Sequence, residues 1–186
     1  MRRVSVVGTS GSGKSTFASA LARLLGADFL ELDSLQHQAG WTPLPTPELR
    51  ARVASAAEGE RWVIDGNYSR VQDIVWPRAD TLVWLDLPRR TVMRRVTWRS
   101  FRRAAGRTEL WNGNRESWRN FLTLDKEESV IAWAWQTYAS NRARYEAAMA
   151  DPLNAHLRFV RLRSAESVRR FLRDAGSGGC GGSGGD

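Results

Sequence analysis

Gly8-Thr9-Ser10-Gly11-Ser12-Gly13-Lys14-Ser15 decides the reading of this chain. The stretch fits G-x-x-x-x-G-K-[ST], a pattern built to bind phosphate. Its flanks give the context that the pattern needs. Residues 2–7, Arg-Arg-Val-Ser-Val-Val, read as a short β-strand. Residues 16–25, opening on Thr16, read as an amphipathic helix.

The residue types follow from the chemistry. Glycines let the backbone turn tightly enough to aim successive N–H groups at phosphate oxygens. The helix begins where the loop ends, so its free N–H groups and positive dipole end face the same oxygens. Lys14 is expected to reach the β- and γ-phosphates of ATP, and the Ser15 hydroxyl to ligate Mg²⁺. A second argument comes from usage. Of the 28 basic residues, only Lys14 and Lys126 are lysine. A chain that writes arginine almost everywhere keeps lysine where a compact point charge suits a phosphate.

Composition sets the outer bounds. At 186 residues the chain is long enough for one domain with a full core. Hydrophobic content of 42% and charged content of 26% are those of a globular protein. The longest apolar run, residues 130–135, is far too short to span a membrane. The N-terminus runs straight into a strand, so no signal peptide is expected. The one cysteine, Cys180, excludes an internal disulfide and fits a cytoplasmic setting. Net charge is +8, and it is uneven: ten arginines and only two acids, Glu109 and Glu116, lie between Arg89 and Arg119.

Strand-like and helix-like stretches then alternate. Residues 28–33 read as a second strand ending in Asp33, and residues 61–65 as a third ending in Asp65. Residues 81–86 read as a fourth and residues 157–162 as a fifth. Helices are expected from Pro47 to Glu58, from Arg89 to about Arg103, from Glu116 to about Met149, and from Ala165 to Arg173, the last capped by Ser164. This alternation predicts an α/β fold, a doubly wound, five-stranded parallel sheet. Residues 1–174 form the single domain, and 175–186 a disordered Gly/Ser-rich tail without core residues. Ligands of such sheets bind at the carboxyl ends of the strands, where Gly8, Asp33, Asp65 and Asp86 stand.

With these residues in view the chain resembles known proteins. Residues 64–70, Ile-Asp-Gly-Asn-Tyr-Ser-Arg, look like the h-Asp-Gly-x-x-x-Arg strand end of adenylate kinase and related nucleoside monophosphate kinases. Leu85-Asp86-Leu87-Pro88 with Arg95 and Arg99 is similar to the fourth strand and lid opening of those enzymes. The whole string, with Trp41 and residues 111–116, resembles the bacterial topology modulation proteins, adenylate-kinase-like ATPases that also carry an AAA-family name. The resemblance covers most of residues 1–173. It implies a P-loop NTPase fold of the nucleoside and shikimate kinase type, with a short arginine-rich lid over about 99–119.

The site residues follow from both lines. Gly8 to Thr16 would hold ATP. Asp65 is the candidate for the carboxylate that orients the water shell of Mg²⁺, against a plain capping role. Gly66 would let backbone approach a ligand. Asp33 could bind or deprotonate an acceptor hydroxyl, against a helix N-cap role; shikimate-kinase-like enzymes place an acid similarly. Arg70 resembles the arginine that holds the acceptor phosphate in nucleotide kinases, and the other reading is a surface ion pair. Trp41 and Tyr68 could stack on the acceptor or belong to the core, and Asn67 is expected to line the acceptor site with Asp33, Trp41, Gly66, Tyr68 and Arg70. Asp86 reads as a structural helix-start signal.

The arginine segment has three readings. As a lid, Arg95, Arg99, Arg115 and Arg119 close on ATP and spread the charge of the transferring phosphoryl group. Without cysteines such a lid carries no zinc. As a nucleic-acid surface, arginines interleave with Trp98, Phe101, Trp111 and Trp118. As a plain face, they are solvated. The expected activity is transfer of the γ-phosphoryl group of Mg²⁺·ATP to a small-molecule acceptor. The alternative is an ATP-dependent nucleic-acid-associated ATPase. No separate DNA-reading module is present to favour the alternative.

Overall fold

A computed structural model describes residues 1–106, 112 and 129–177. Five strands form one sheet: β1 (Arg3–Gly8), β2 (Asp28–Glu31), β3 (Trp62–Asp65), β4 (Thr81–Leu85) and β5 (Arg158–Leu162). Their order is β2-β3-β1-β4-β5 and every pairing is parallel. The helices are α1 (Lys14–Leu25), α2 (Leu32–Gln36), α3 (Thr46–Ala57), α4 (Gln72–Val75), α5 (Arg89–Gly106), α6 (Val130–Ala150) and α7 (Ala165–Ser177).

The period-two alternation of the strands divides the core into two layers. Val4, Val6, Val63, Val83 and Leu85 point to one face, where Phe17 and Leu21 of α1 and Phe171 and Leu172 of α7 cover them. Val7, Trp62, Ile64, Leu82 and Trp84 point to the other, against Leu49 and Val53 of α3, Ile74 of α4 and Tyr145 of α6. Strands β1, β3 and β4 are buried over most of their length, as a parallel sheet covered on both faces requires. Among the described residues, no helix is long and apolar enough to cross a membrane.

Several boundaries differ from the sequence reading. Helix α6 starts at Val130, not at Glu116: Ser129 is extended and its hydroxyl caps the helix by accepting from Ala132 N. Strand β2 stops at Glu31, and Asp33 lies in the first turn of α2 rather than at a strand end. The cause is Leu32, which turns into the core beneath Gly66. Helix α3 starts at Thr46 with Pro45 as its cap, so the Thr46 hydroxyl does not cap the helix. Helix α7 runs on to Ser177, and Ala175 packs beside the core one turn beyond Phe171. Residues 175–177 thus belong to α7 and not to the expected tail, because Ala175 continues the apolar stripe of the helix. At the other end of α7 the cap is as expected: the Ser164 hydroxyl accepts from Ser167 N at 3.1 Å.

Candidate active site

The glycine loop joins β1 to α1 under the carboxyl edge of the sheet. Gly8, Gly11 and Gly13 have φ of 153°, 85° and 92°, conformations that side chains resist. At Gly11 space forbids a side chain as well. A Cβ there would lie 2.9 Å from both the Val92 carbonyl and Val96 Cβ, because α5 presses on the loop. Gly13 caps α1 with no side-chain hydrogen bond, and the first turn of α1 carries no acid. The first N–H groups of the helix are thus left for an anion.

Next to the loop stands Asp65, at the end of β3 and 2% exposed. Its Oδ2 accepts from the Ser15 hydroxyl at 2.6 Å. Its Oδ1 is buried without a hydrogen-bond partner. Burial pushes the Asp65 carboxyl up to about 6, against the opposing pull of Lys14 and the Ser15 bond. Asp33 and Glu31 push it further in the same direction. A buried carboxylate with a spare oxygen beside a P-loop serine is chemically suited to a hydrated divalent cation. Among the described residues, no group of three His, Cys, Asp or Glu could hold a metal. Mg²⁺ would therefore depend on Ser15, water and phosphate oxygens, as hard oxygen ligands allow.

Two lid candidates already touch the loop. Arg95 Nη1 donates to the Ser12 carbonyl at 3.2 Å, and Arg99 Nη2 to Ser10 Oγ at 3.3 Å. Both line a cleft of about 490 Å³ between the loop, α5 and α7. Thr16, Val168 and Arg169 line it too. Arg169 and Val168 were not foreseen. The signal was available: they follow β5 at its carboxyl end, where ligands of such sheets bind. Arg115 and Arg119 lie outside the described residues, as do Trp111, Trp118 and most of the proposed lid.

On the other side of Asp65, the acceptor candidates form a second group. The Tyr68 hydroxyl donates to Asp33 Oδ1 at 2.8 Å. Burial first, then the Asp33 charge, raises Tyr68 far above the ordinary phenol value, so it stays a donor. Arg70 donates to Gln36 Oε1 at 2.9 Å and Thr46 Oγ1 at 3.0 Å, both neutral. Its guanidinium stands 5.8 Å from the Tyr68 ring centre. Trp41, in the turn Ala39–Trp41, is 37% exposed and meets His37 edge-on. It therefore lies outside the core. Gly66 is pressed by Leu32, whose Cβ would lie 2.8 Å from an added methyl group.

Asn67 is the exception. Its carboxamide turns to Gly8, accepting from Gly8 N at 3.1 Å and donating to Gly8 O at 2.5 Å. Asp86 was expected to mark a helix start, but its carboxylate turns to β5 instead. It is buried and takes two hydrogen bonds from Arg161, at 2.9 and 2.7 Å.

No protein family description and no curated protein matches this chain. Nothing in those comparisons supports the topology modulation name. Solved structures are similar to it. A gluconokinase from Sinorhizobium meliloti 1021 aligns over 95% of this chain and 90% of its own, at 19% identity and a TM-score of 0.52. A shikimate kinase from Acinetobacter baumannii, in complex with shikimate, aligns over 94% and 90% at 17% identity and a TM-score of 0.49. One from Bacteroides thetaiotaomicron aligns over 93% and 95% at 16% identity, also with a TM-score of 0.49. The first of these likenesses bears on the fold and on nothing finer. The chain has the P-loop NTPase fold, a five-stranded parallel sheet between helices.

Proposed function

We propose that this protein is a cytoplasmic P-loop kinase that moves the γ-phosphoryl group of ATP to the hydroxyl of a small acceptor bearing one acidic group. The single observation that carries the kinase reading is the Ser15–Asp65 pair beside an uncapped helix start. When bound, Mg²⁺ supplies neutralisation of phosphate charge. Ser15 would ligate it, and Asp65 would hold its water. Lys14 would reach the same phosphates, and Arg95 and Arg99 reach the loop from α5.

The acceptor class follows from how charge is distributed. Arg50 is bound to Asp73 by two hydrogen bonds, at 2.8 and 2.7 Å, so it offers little to a second anion. Arg70 keeps its charge for one, since its partners are neutral. Among the described residues of this group, Arg70 alone has an uncompensated charge, which matches a singly charged carboxylate. Asp33 is positioned to take the proton of an acceptor hydroxyl, held by the Tyr68 hydroxyl. The bond broken joins the β–γ bridging oxygen to the γ-phosphorus; the bond formed joins that phosphorus to the acceptor oxygen. ADP leaves, and the hydroxyl proton passes to Asp33. Gluconate-like and shikimate-like hydroxy acids belong to this class. Asp33→Asn should cut turnover at least 100-fold with ATP binding retained, by the usual scale of a lost general base. Full turnover in that variant would remove Asp33 from the mechanism.

A second reading has its own observation. On α5, Arg90, Arg94, Trp98 and Arg102 stand on one outward stripe, and Trp98 is 61% exposed and stacked on Phe101 at 6.0 Å. Such a stripe fits single-stranded nucleic acid. Binding of an oligonucleotide that weakens steeply with salt, and that is lost in Trp98→Ala, would favour it.

A further inference from the structure

We propose that Asn67 is a positioning residue that completes the β1–β3 ladder at the glycine loop, and that Tyr145 and Arg144 of α6 hold it in place. The ladder is regular up to its end. Arg3, Val4, Ser5 and Val6 pair with Trp62, Val63, Ile64 and Asp65, and Gly66 N still donates to Val6 O at 3.2 Å. Gly66, at φ 148°, then takes the chain away from β1. Gly8 would lose its partner on that side just where the loop starts.

The Asn67 side chain supplies it. A carboxamide is chemically a peptide group, with one acceptor and an N–H donor side by side. Here it accepts from Gly8 N and donates to Gly8 O, as a neighbouring strand would. On the opposite side Gly8 pairs with Leu85 of β4. The first residue of the loop is therefore held from both flanks, and the loop cannot be thickened there. A Cβ on Gly8 would lie 2.9 Å from both the Leu85 carbonyl and Ser12 Oγ.

The orientation of the amide is fixed from α6. The Tyr145 hydroxyl donates to Asn67 Oδ1 at 2.8 Å. Arg144 Nη2 donates to the Tyr145 oxygen at 3.2 Å and to the Asn67 carbonyl at 3.1 Å. Arg144 thereby directs the Tyr145 proton at Asn67. Tyr145 is 1% exposed and packs on Trp84, so its hydroxyl has little freedom. The next residue, Tyr68, faces the opposite way, to Asp33. Two adjacent side chains thus serve the two halves of the site: Asn67 sets the phosphate loop, and Tyr68 sets the acceptor carboxylate.

The inference uses the kinase reading for its ligand but not for its geometry. The test titrates a fluorescent ATP analogue with Mg²⁺, and the matching adenosine analogue, into the wild-type chain, Asn67→Ala and Tyr145→Phe. Neither variant changes charge. Asn67→Ala should bind the ATP analogue at least tenfold more weakly, and Tyr145→Phe several-fold, with adenosine binding unchanged in both. A role in packing alone would weaken both ligands together. Amide hydrogen exchange at Gly8 is read in parallel and should be faster in Asn67→Ala. An ATP affinity within twofold of wild type in Asn67→Ala overturns the proposal, as does equal weakening of adenosine. If the wild-type chain binds no nucleotide, the kinase reading fails and exchange alone decides. Faster exchange at Gly8 then supports the ladder role, and unchanged exchange overturns it.

Discussion

Asp65 shows how one side chain sets two opposed pH trends. Burial raises its carboxyl to about 6, above the unfolded value near 3.8. Between those values the native state keeps a proton that the unfolded chain has released. Stability therefore falls as pH rises through this window, and the loss is complete above pH 6. From the shift of about two units it amounts to ~3 kcal/mol. Under the proposed mechanism activity runs the other way, because the ionised form is the one that would hold the water of the cation. Asp65→Asn should melt at or above the wild-type temperature at pH 8 while losing turnover. Its melting temperature should also vary less with pH between 4 and 6 than that of the wild type. A variant that melts well below wild type at pH 8 would show that the carboxylate stabilises the fold. The Arg50–Asp73 pair is the contrast. It is well formed but lies in solvent, at 40% and 63% side-chain exposure. Removing it should leave the melting temperature nearly unchanged, because solvent screens an exposed pair.

At the scale of elements, α5 is a buttress for the loop. Val92 and Val96 press on Gly11, and Arg95 and Arg99 donate to Ser12 and Ser10. This predicts different outcomes for two neighbouring glycines. Gly13→Ala meets only Arg95 Nη1 at 3.6 Å and should cost the ~1–2 kcal/mol of a left-handed side chain. Gly11→Ala adds a clash with the backbone of α5 and should cost more, with nucleotide affinity falling further. Equal melting temperatures in the two variants would contradict the buttress. The same elements show what was legible in sequence. The loop, the strand before it and the helix after it could be read because the pattern is local. Helix α2 could not, since it exists because Leu32 finds a place under Gly66, a contact between residues far apart in sequence. The Arg-x-x-x-Arg spacing put Arg95 and Arg99 on one helix face, which is where the structure uses them. In sequence Asn67 reads as lining the acceptor; its turn toward Gly8 was not legible, because nothing local indicates which way a strand-end amide points.

For the molecule as a whole, the two-layer core and the parallel order were legible because strand alternation and βα alternation are period signals. The division of labour across the carboxyl edge was not. It depends on which strand neighbours which: β1 stands between β3 and β4, so the loop touches both Asp65 and Leu85. The proposed nucleotide site predicts a measurable response to ligand. Mg²⁺·ATP at 100 times its dissociation constant should stabilise the native state by ~2.7 kcal/mol. For a domain of this size that raises the melting temperature by about 5–11 °C. Lys14→Ala should melt normally and show little of the rise. Trp62, at 1% exposure, should be far costlier to lose than any site residue, with Trp62→Ala destabilising by ~3–5 kcal/mol.

The most direct measurement is Mg²⁺-dependent ADP release from ATP across a panel of hydroxy acids, nucleoside monophosphates, nucleosides and neutral polyols, with Lys14→Ala as the blank. A hydroxy acid should stimulate release well above the basal rate, and Lys14→Ala should abolish the stimulation. A flat panel, or stimulation that persists without Lys14, would contradict the proposed kinase activity.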